Sequence, residues 1–431
     1  MEVTEKSGRL FQWFGAFCVL LFFALVCDAR LYRPGQVFTI TENIQIAEGQ
    51  GWWAGRLDLP ERKWDSALFE GRVFSHFPPM FSFLAALVTP VFHGVPHWFI
   101  VLAIVLPIPL LAYALSLRLL HSAFWSAALA MGLVCGTSAL PVLEKALRGA
   151  SPYAVNQVLA LSGLLIFLCE YFGRRRVWVA GVGVLIAAWS RQMTLAYLLP
   201  FVWMSMRSDS TLTPVPLPVR ERGSHALGSH YLKVRAVGIA FIVFLAIGVP
   251  MGLNWLKFGS PLESGYRYVY EGRTEDAFTR DARSHGLFSP WYVPRNLYYA
   301  NLGFPEFHGI ERGKDREWHV TPNHWGTGIW WTTPLLIYIF LDWRRIVGGA
   351  RERMLLIAAG LAYIGLMLYH STGYDQRGFN RYSLDYLPAL FALAAPACVT
   401  TPRRKILTAG MIAWSVFYFA FVRHATNIRI W

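Results

Sequence analysis

Apolar runs recur along this chain, several of them about 16–24 residues long, close to the ~20 residues that an α-helix needs to cross the hydrocarbon of a bilayer. Wherever lipid surrounds such a run, every backbone N–H and C=O must be satisfied within the segment, and for runs of this length the α-helix is the form that does so. The composition agrees. Of 431 residues, 55% are hydrophobic and 15% charged, whereas a soluble protein carries roughly a quarter charged residues. Aromatic residues make up 16%, which suits a chain with many membrane–water interfaces. The sequence therefore predicts an all-α polytopic membrane protein.

The formal net charge is +14. In a soluble chain that excess would raise nucleic acid as a partner. Here the bases sit in short clusters between apolar runs, so they read as topology signals, and nucleic acid is set aside. The clusters are Arg174, Arg175 and Arg176; Arg207, Arg220, Arg222, Lys233 and Arg235; Arg344, Arg345, Arg351 and Arg353; and Arg403, Arg404 and Lys405. The positive-inside rule makes these loops cytoplasmic, and Lys6 and Arg9 put the N-terminus there too. About eleven spans follow, near 10–27, 97–117, 123–141, 153–172, 177–190, 192–206, 236–254, 328–342, 355–371, 384–399 and 405–422. The run 80–93 opens after Pro78–Pro79 and is too short to cross, so it is expected to be an interfacial or re-entrant helix.

Two outer segments are too long for simple connections. A first outer loop with interfacial helices covers 28–96 and a second covers 255–327, within a single membrane domain, 1–431. The inner loop 208–234 contains TLTPVPLPVRER and then GSHALGSH, a composition expected to be disordered. The run from Leu10 to Cys27 lacks a cleavage site followed by a soluble domain, so it reads as a retained first span. The five cysteines lie in or beside apolar runs without metal-ligand spacing and read as small buried hydrophobes.

Patterns for soluble active sites are missing: the sequence has no phosphate-binding Gly-rich loop with Lys, HExxH, paired CxxC or GxSxG. A transporter usually places carboxylates or His near the bilayer midplane. In this chain Glu144, Lys145, Glu170, Arg191 and Asp385 stand near span ends, and polar residues gather in the outer segments. That pattern suits chemistry on a lipid-linked substrate whose head group lies at the interface.

Four segments, in order, resemble one family. Asp65 to Phe83 reads DSALFEGRVFSHFPPMFSF, Ala188 to Arg191 reads AWSR, Asn254 to Tyr266 reads NWLKFGSPLESGY, and Gly378 to Pro388 reads GFNRYSLDYLP. They are similar to segments of bacterial GT-C glycosyltransferases, the integral-membrane relatives of aminoarabinose transferases and protein O-mannosyltransferases. The resemblance implies a GT-C-like bundle in a bacterial inner membrane. It implies transfer of a sugar from a polyprenyl-phosphate carrier to a lipid or glycan acceptor at the outer face, with inversion. A divalent cation is possible in such enzymes, although no ligand cluster in this sequence argues for one. Many members carry an Asp-Glu pair after the first span. The comparable stretch here, YRPGQVFTITENIQIAEG, lacks the pair, which keeps open a non-catalytic relative or a transporter of lipid-linked substrate.

Glycosyl transfer needs a base for the acceptor hydroxyl and N–H donors for the departing phosphate. Glu42 and Asp65 are the candidate bases. Glu42 lies among Phe38, Ile40, Ile44 and Ile46, where partial desolvation would raise its pKa. The bland alternatives are a solvated helix face for Glu42 and a helix N-cap for Asp65. Arg381 is the first candidate for phosphate, snorkelling to the headgroup layer, with Tyr382 beside it. Arg72, Arg191, Arg267 and His76 complete the substrate-binding set. The alternative for the arginines is interfacial anchoring, and for His76 a structural role.

Overall fold

The computed structural model describes residues 2–27, 39–63, 65–149, 151–207, 224–270, 277–312, 315–321, 323, 325–374, 376 and 378–427. The start of the expected first outer loop (28–38) and most of the proline-rich inner loop (208–223) lie outside them. The backbone of 224–234 is helical, continuous with the span that follows.

The helices in chain order are α1 (Glu2–Val26), α2 (Ile44–Trp53), α3 (Met80–Phe92), α4 (His97–Val105), α5 (Pro107–Leu120), α6 (Ala123–Cys135), α7 (Ala139–Arg148), α8 (Pro152–Tyr171), α9 (Val177–Ser190), α10 (Leu198–Met206), α11 (Ser224–Phe258), α12 (Tyr266–Tyr270), α13 (Ala277–His285), α14 (Val293–Leu297), α15 (Ile329–Thr332), α16 (Tyr338–Leu341), α17 (Trp343–Gly348), α18 (Ala350–Leu368), α19 (Leu387–Cys398) and α20 (Pro402–Asn427). The strands among the described residues form two antiparallel hairpins, β1 (Ala67–Phe69) with β2 (Arg72–Phe74), and β3 (Glu306–Arg312) with β4 (Asp315–Thr321).

Four segments are long and apolar enough to cross a membrane: His97–Leu120, where α4 runs into α5, Pro152–Tyr171, Arg235–Phe258 and Pro402–Val422. A fifth arises if α6 and α7, bent by 60° at residues 136–138, count as one. Of the other expected spans, 355–371 falls for the most part in the continuous 19-residue α18, and the rest are shorter apolar helices or are interrupted. The run 192–206 starts as a 3-10 helix, Gln192–Tyr197, before α10. The run 328–342 breaks at Thr333–Pro334 into α15, a 3-10 turn and α16. Proline at the break lacks an N–H and crowds the preceding turn, so the helix stops there. Helix α3 has 13 residues, about 20 Å at 1.5 Å per residue, too short for hydrocarbon ~30 Å thick. It packs on α2 and touches α8 and α9.

Helix α8 is the centre of the bundle. Of its most apolar window 83% is buried in protein, against 22% for Arg235–Phe258. It pairs with α9 at a close crossing. A Cβ on Gly163 would come to 2.5 Å from the Gly183 carbonyl oxygen, and one on Gly183 to 2.7 Å from that of Gly163. Only glycine allows backbones this near, the usual device where helices pack without a hydrophobic drive between them. Phe14 and Phe17 of α1, Phe241 and Phe244 of α11, and Ile406 and Phe417 of α20 point out of the bundle.

Polar groups sort to the two ends of α8. At its C-terminal end the buried Glu170 carboxylate meets Arg176 at 2.7 Å and Arg118 at 4.0 Å. Tyr171 there donates to the Arg351 carbonyl at 2.7 Å. Two of the basic stretches read as cytoplasmic, those of Arg176 and Arg351, thus meet at one end, with Arg118 beside them. The other end, near Tyr153 and Asn156, carries the site described next, about 21–27 Å away along the helix.

Candidate functional site

The site begins with α2. Asn43 caps it, accepting from the N–H groups of Gln45 (2.9 Å) and Ile46 (2.8 Å). The cap sets the phase that turns Gln45 and Glu48, three residues apart and so on one face, into the protein. Gln45 and Asn156 exchange amide hydrogen bonds at 3.0 and 3.3 Å, and Gln45 donates to the Pro78 carbonyl at 2.8 Å. Glu48, fully buried, accepts from Ser82 at 2.6 Å and pairs with the Lys257 ammonium at the end of α11. Lys257 also donates to the Ser75 carbonyl at 3.1 Å. The segment from Ser75 to Ser82 is clamped at both ends.

His76 lies inside that clamp. Its edge contacts the Tyr266 ring at 4.3 Å and its face leans on Phe77 at 4.3 Å. Among the described residues neither of its buried ring nitrogens has a hydrogen-bond partner. Burial first, and the Lys257 charge second, push its pKa down to about 3, so the ring is neutral.

The opposite wall comes from two helix breaks. Arg191 takes an extended conformation where α9 gives way to its 3-10 continuation. Its Nε donates to Asp385 Oδ1 at 3.0 Å and its Nη2 to Oδ2 at 2.8 Å. Asp385 is fully buried at the end of a 3-10 turn, Arg381–Asp385, that Asn380 caps by accepting from the Tyr382 N–H at 3.1 Å. Two guanidinium groups lie against the Tyr382 ring, Arg191 at 4.8 Å and Arg381 at 5.1 Å from its centre. Arg381 also lies 5.6 Å from the Tyr153 ring, and the Tyr153 hydroxyl donates to Asp65.

These walls enclose a cleft of about 630 Å³, part of it open to solvent. Phe77, Pro78, Tyr153, Asn156, Arg191, Tyr266, Phe288 and Tyr369 are on its surface. Arg191 spends Nε and Nη2 on Asp385, so the Nη1 side of its fork is not engaged by that carboxylate. The cleft offers aromatic faces, phenol hydroxyls, an amide and guanidinium N–H groups.

Of the residues expected from sequence, Arg191 lines the cleft; His76 packs on its lining residues Phe77 and Tyr266, Tyr382 on Arg191 and Arg381 on Tyr153, and Asp65 reaches the cleft wall through Tyr153. Asp65 is not a helix N-cap. It takes a left-handed conformation, φ 66°, just ahead of β1. Glu70 and Gly71, both with positive φ, make the two-residue turn joining β1 to β2, the conformation such hairpins require. Glu42 is not desolvated: its side chain is 68% exposed and pairs with Lys63 at 3.5 Å. Arg72 is on the exposed side of the hairpin, paired with Asp58 at 3.1 Å. That contact holds the Asp58 carboxyl below its usual range. Arg267 pairs with Glu263 at 2.8 Å, also largely exposed. Neither of these two arginines, nor Glu42, is among the cleft-lining residues.

Sequence reasoning missed Gln45, Glu48, Tyr153 and Asn156. Glu48 carried a signal, an acid within the otherwise apolar IQIAEG. Tyr153 and Asn156 carried none, since they open an ordinary apolar run.

Among the described residues no group of three or more His, Cys, Asp or Glu side chains is placed to hold a metal ion. The buried carboxylates nearest the cleft, Glu48 and Asp385, already face cations. Among the described residues the donor set does not fit a divalent ion.

No family model matches the chain, and no curated protein matches it. Solved structures do. The apo crystal structure of the Archaeoglobus fulgidus oligosaccharyltransferase aligns with 96% of this chain and 56% of its own, at 14% identity and a TM-score of 0.50. The same archaeal enzyme in complex with an inhibitory peptide and a dolichol-phosphate aligns with 97% of this chain and 56% of its own, at 14% identity and a TM-score of 0.46. The chain thus spans little more than half the length of these structures. The first likeness is one of fold: the helices follow a GT-C-type architecture, as the four ordered segments implied.

Proposed function

We propose that this chain, an all-α membrane protein of GT-C-type fold, transfers a sugar from a polyprenyl-phosphate carrier to a lipid or glycan acceptor, with inversion, at the outer face of a bacterial inner membrane. One observation carries the reading. Arg191 and Arg381 both lie against Tyr382, with Arg191 on the surface of a cleft formed where apolar helices break or end. A phosphate leaving an anomeric carbon gathers negative charge, and fixed N–H donors at that point lower the barrier. Guanidinium forks match phosphate oxygens in pairs. Tyr153, Tyr266, Tyr369 and Phe288 supply ring faces against which a sugar can pack. The exposed Trp255 and Leu256 at the end of α11 offer apolar surface for the carrier chain. The separation of the cleft from the basic end of α8 supports the outer-face assignment.

The test uses the purified full chain in lipid nanodiscs with a panel of radiolabelled polyprenyl-phosphate sugars. The expected result is release of free polyprenyl phosphate, slowed about 10²-fold by Arg381→Ala. Absence of both binding and turnover with every carrier overturns the reading. One observation favours a second reading, a carrier-binding protein without transferase activity: Glu48 and Asp385 are each neutralised by a cation. Tight binding without turnover selects it.

A further inference from the structure

We infer that Tyr153 is the group that takes the acceptor proton, with Asp65 behind it as the proton's destination; this rests on the transferase reading above. The geometry is specific. Tyr153 is on the cleft surface and Asp65 is not. The phenol hydrogen is directed at Asp65 Oδ2. A phenol that donates in one direction keeps its oxygen lone pairs for another, and on this wall they serve as acceptors for a substrate hydroxyl. Asp65 therefore acts on the cleft through Tyr153.

Both partners are held from several sides. Proline at the first position of α8 fixes the start of the helix. Phe77 meets the Tyr153 ring edge-on at 5.0 Å, and the Arg381 guanidinium lies 5.6 Å from its centre. On the other side, Asp65 adopts its left-handed conformation within the Lys63–Ser66 turn that leads into β1. Ser66 closes that turn by donating to the Lys63 carbonyl from both its N–H and its hydroxyl. A non-glycine residue with positive φ costs energy that the surrounding structure must offset.

The step balances as follows. The acceptor oxygen forms a bond to the anomeric carbon. The bond from that carbon to the carrier phosphate breaks, and its electron pair leaves with the phosphate. The acceptor's proton passes to the Tyr153 oxygen while the phenol proton passes to Asp65. Asp65 then returns its proton to water. Tyr153 ends each turnover as it began, and no oxidant, reductant or co-reactant is required.

The experiment uses the full chain in nanodiscs with a carrier-linked sugar that the wild type turns over. Tyr153→Phe is expected to lower kcat at least about 100-fold with KM within about threefold. Asp65→Asn is expected to do the same, and the double variant to be no worse than the poorer single, as for residues acting as one unit. A solvent-deuterium proton inventory reads whether two protons move together in the wild type. Replacement of Tyr153 by a fluorotyrosine preserves the packing and is expected to shift the pH–rate profile. If Tyr153→Phe keeps kcat within about threefold, or fluorination leaves the profile in place, the relay is wrong while the transferase reading stands. If the wild type turns over no carrier-linked sugar, the transferase reading falls, and the relay falls with it.

Discussion

Arg191 and Asp385 stand 194 positions apart and meet through three N–H···O contacts of 3.0, 3.2 and 2.8 Å. The pair joins the break after α9 to the turn before α19, so two interrupted helices share one charge clamp. Removing one partner from a buried pair strands the other, which typically costs about 3–5 kcal/mol, whereas replacing both with apolar groups is far milder. Asp385→Asn and Arg191→Met should each lower stability by that order in SDS-driven unfolding from mixed micelles. Arg191→Met with Asp385→Leu should recover most of the loss. Additive losses in the double variant would mean that the two side chains do not depend on each other.

His76 makes stability pH-dependent. Its folded pKa is pushed down to about 3 by burial and then by the Lys257 charge, from an ordinary value of 6.5. Between those values the unfolded chain holds a proton that the folded chain does not. Stability therefore falls as pH drops from 6.5 toward 3, with a slope of at most about 1.4 kcal/mol per pH unit from this group. Unfolding followed at pH 7.5 and pH 4.5 should show a smaller acid loss in His76→Phe than in the wild type. Parallel losses would remove His76 as the cause.

Arg72 and Glu42 provide the contrast. Each makes its ion pair on the exposed surface, and pairs of that kind are worth under about 1 kcal/mol. Arg72→Ala and Glu42→Gln should leave both stability and carrier turnover near the wild-type values. A loss of turnover in Glu42→Gln with the fold intact would return the base to the position expected from sequence.

Asn43 couples a local cap to the site. Its side chain closes the start of α2, and losing such a cap costs about 1 kcal/mol. Because α2 carries Gln45 and Glu48, Asn43→Ala should reduce turnover together with stability, and Asn43→Asp should preserve both. Turnover unchanged in Asn43→Ala would show that α2 holds its position without the cap.

The sequence made the membrane class legible because hydrocarbon thickness imposes a length on each apolar run, and His97–Leu120 and Pro152–Tyr171 carry that length openly. The interruptions were harder to see. Arg191 and Pro334 lie in or beside apolar stretches, and the tertiary contacts that tolerate a broken ladder there come from residues far along the chain. The site was legible where a residue's type is rare in its surroundings, as with Arg191, His76 and Arg381. The desolvation expected of Glu42 fails because Ile44 and Ile46 turn inward while Ile40 and Glu42 itself stay exposed, immediately before the Asn43 cap. Tyr153 gave no warning, since a tyrosine at the mouth of an apolar helix is what any interface would contain.

The pair between Glu48 and Lys257 has a consequence for biogenesis. The carboxylate is synthesised 209 residues ahead of the ammonium that neutralises it, and chains of this size are made at about 5–20 residues per second. For ten seconds or more the nascent first segment carries an acid with no place to be buried. Helix α2 is therefore expected to settle fully only once α11 has been made, and a chain truncated before residue 257 to leave Glu48 without its ammonium partner.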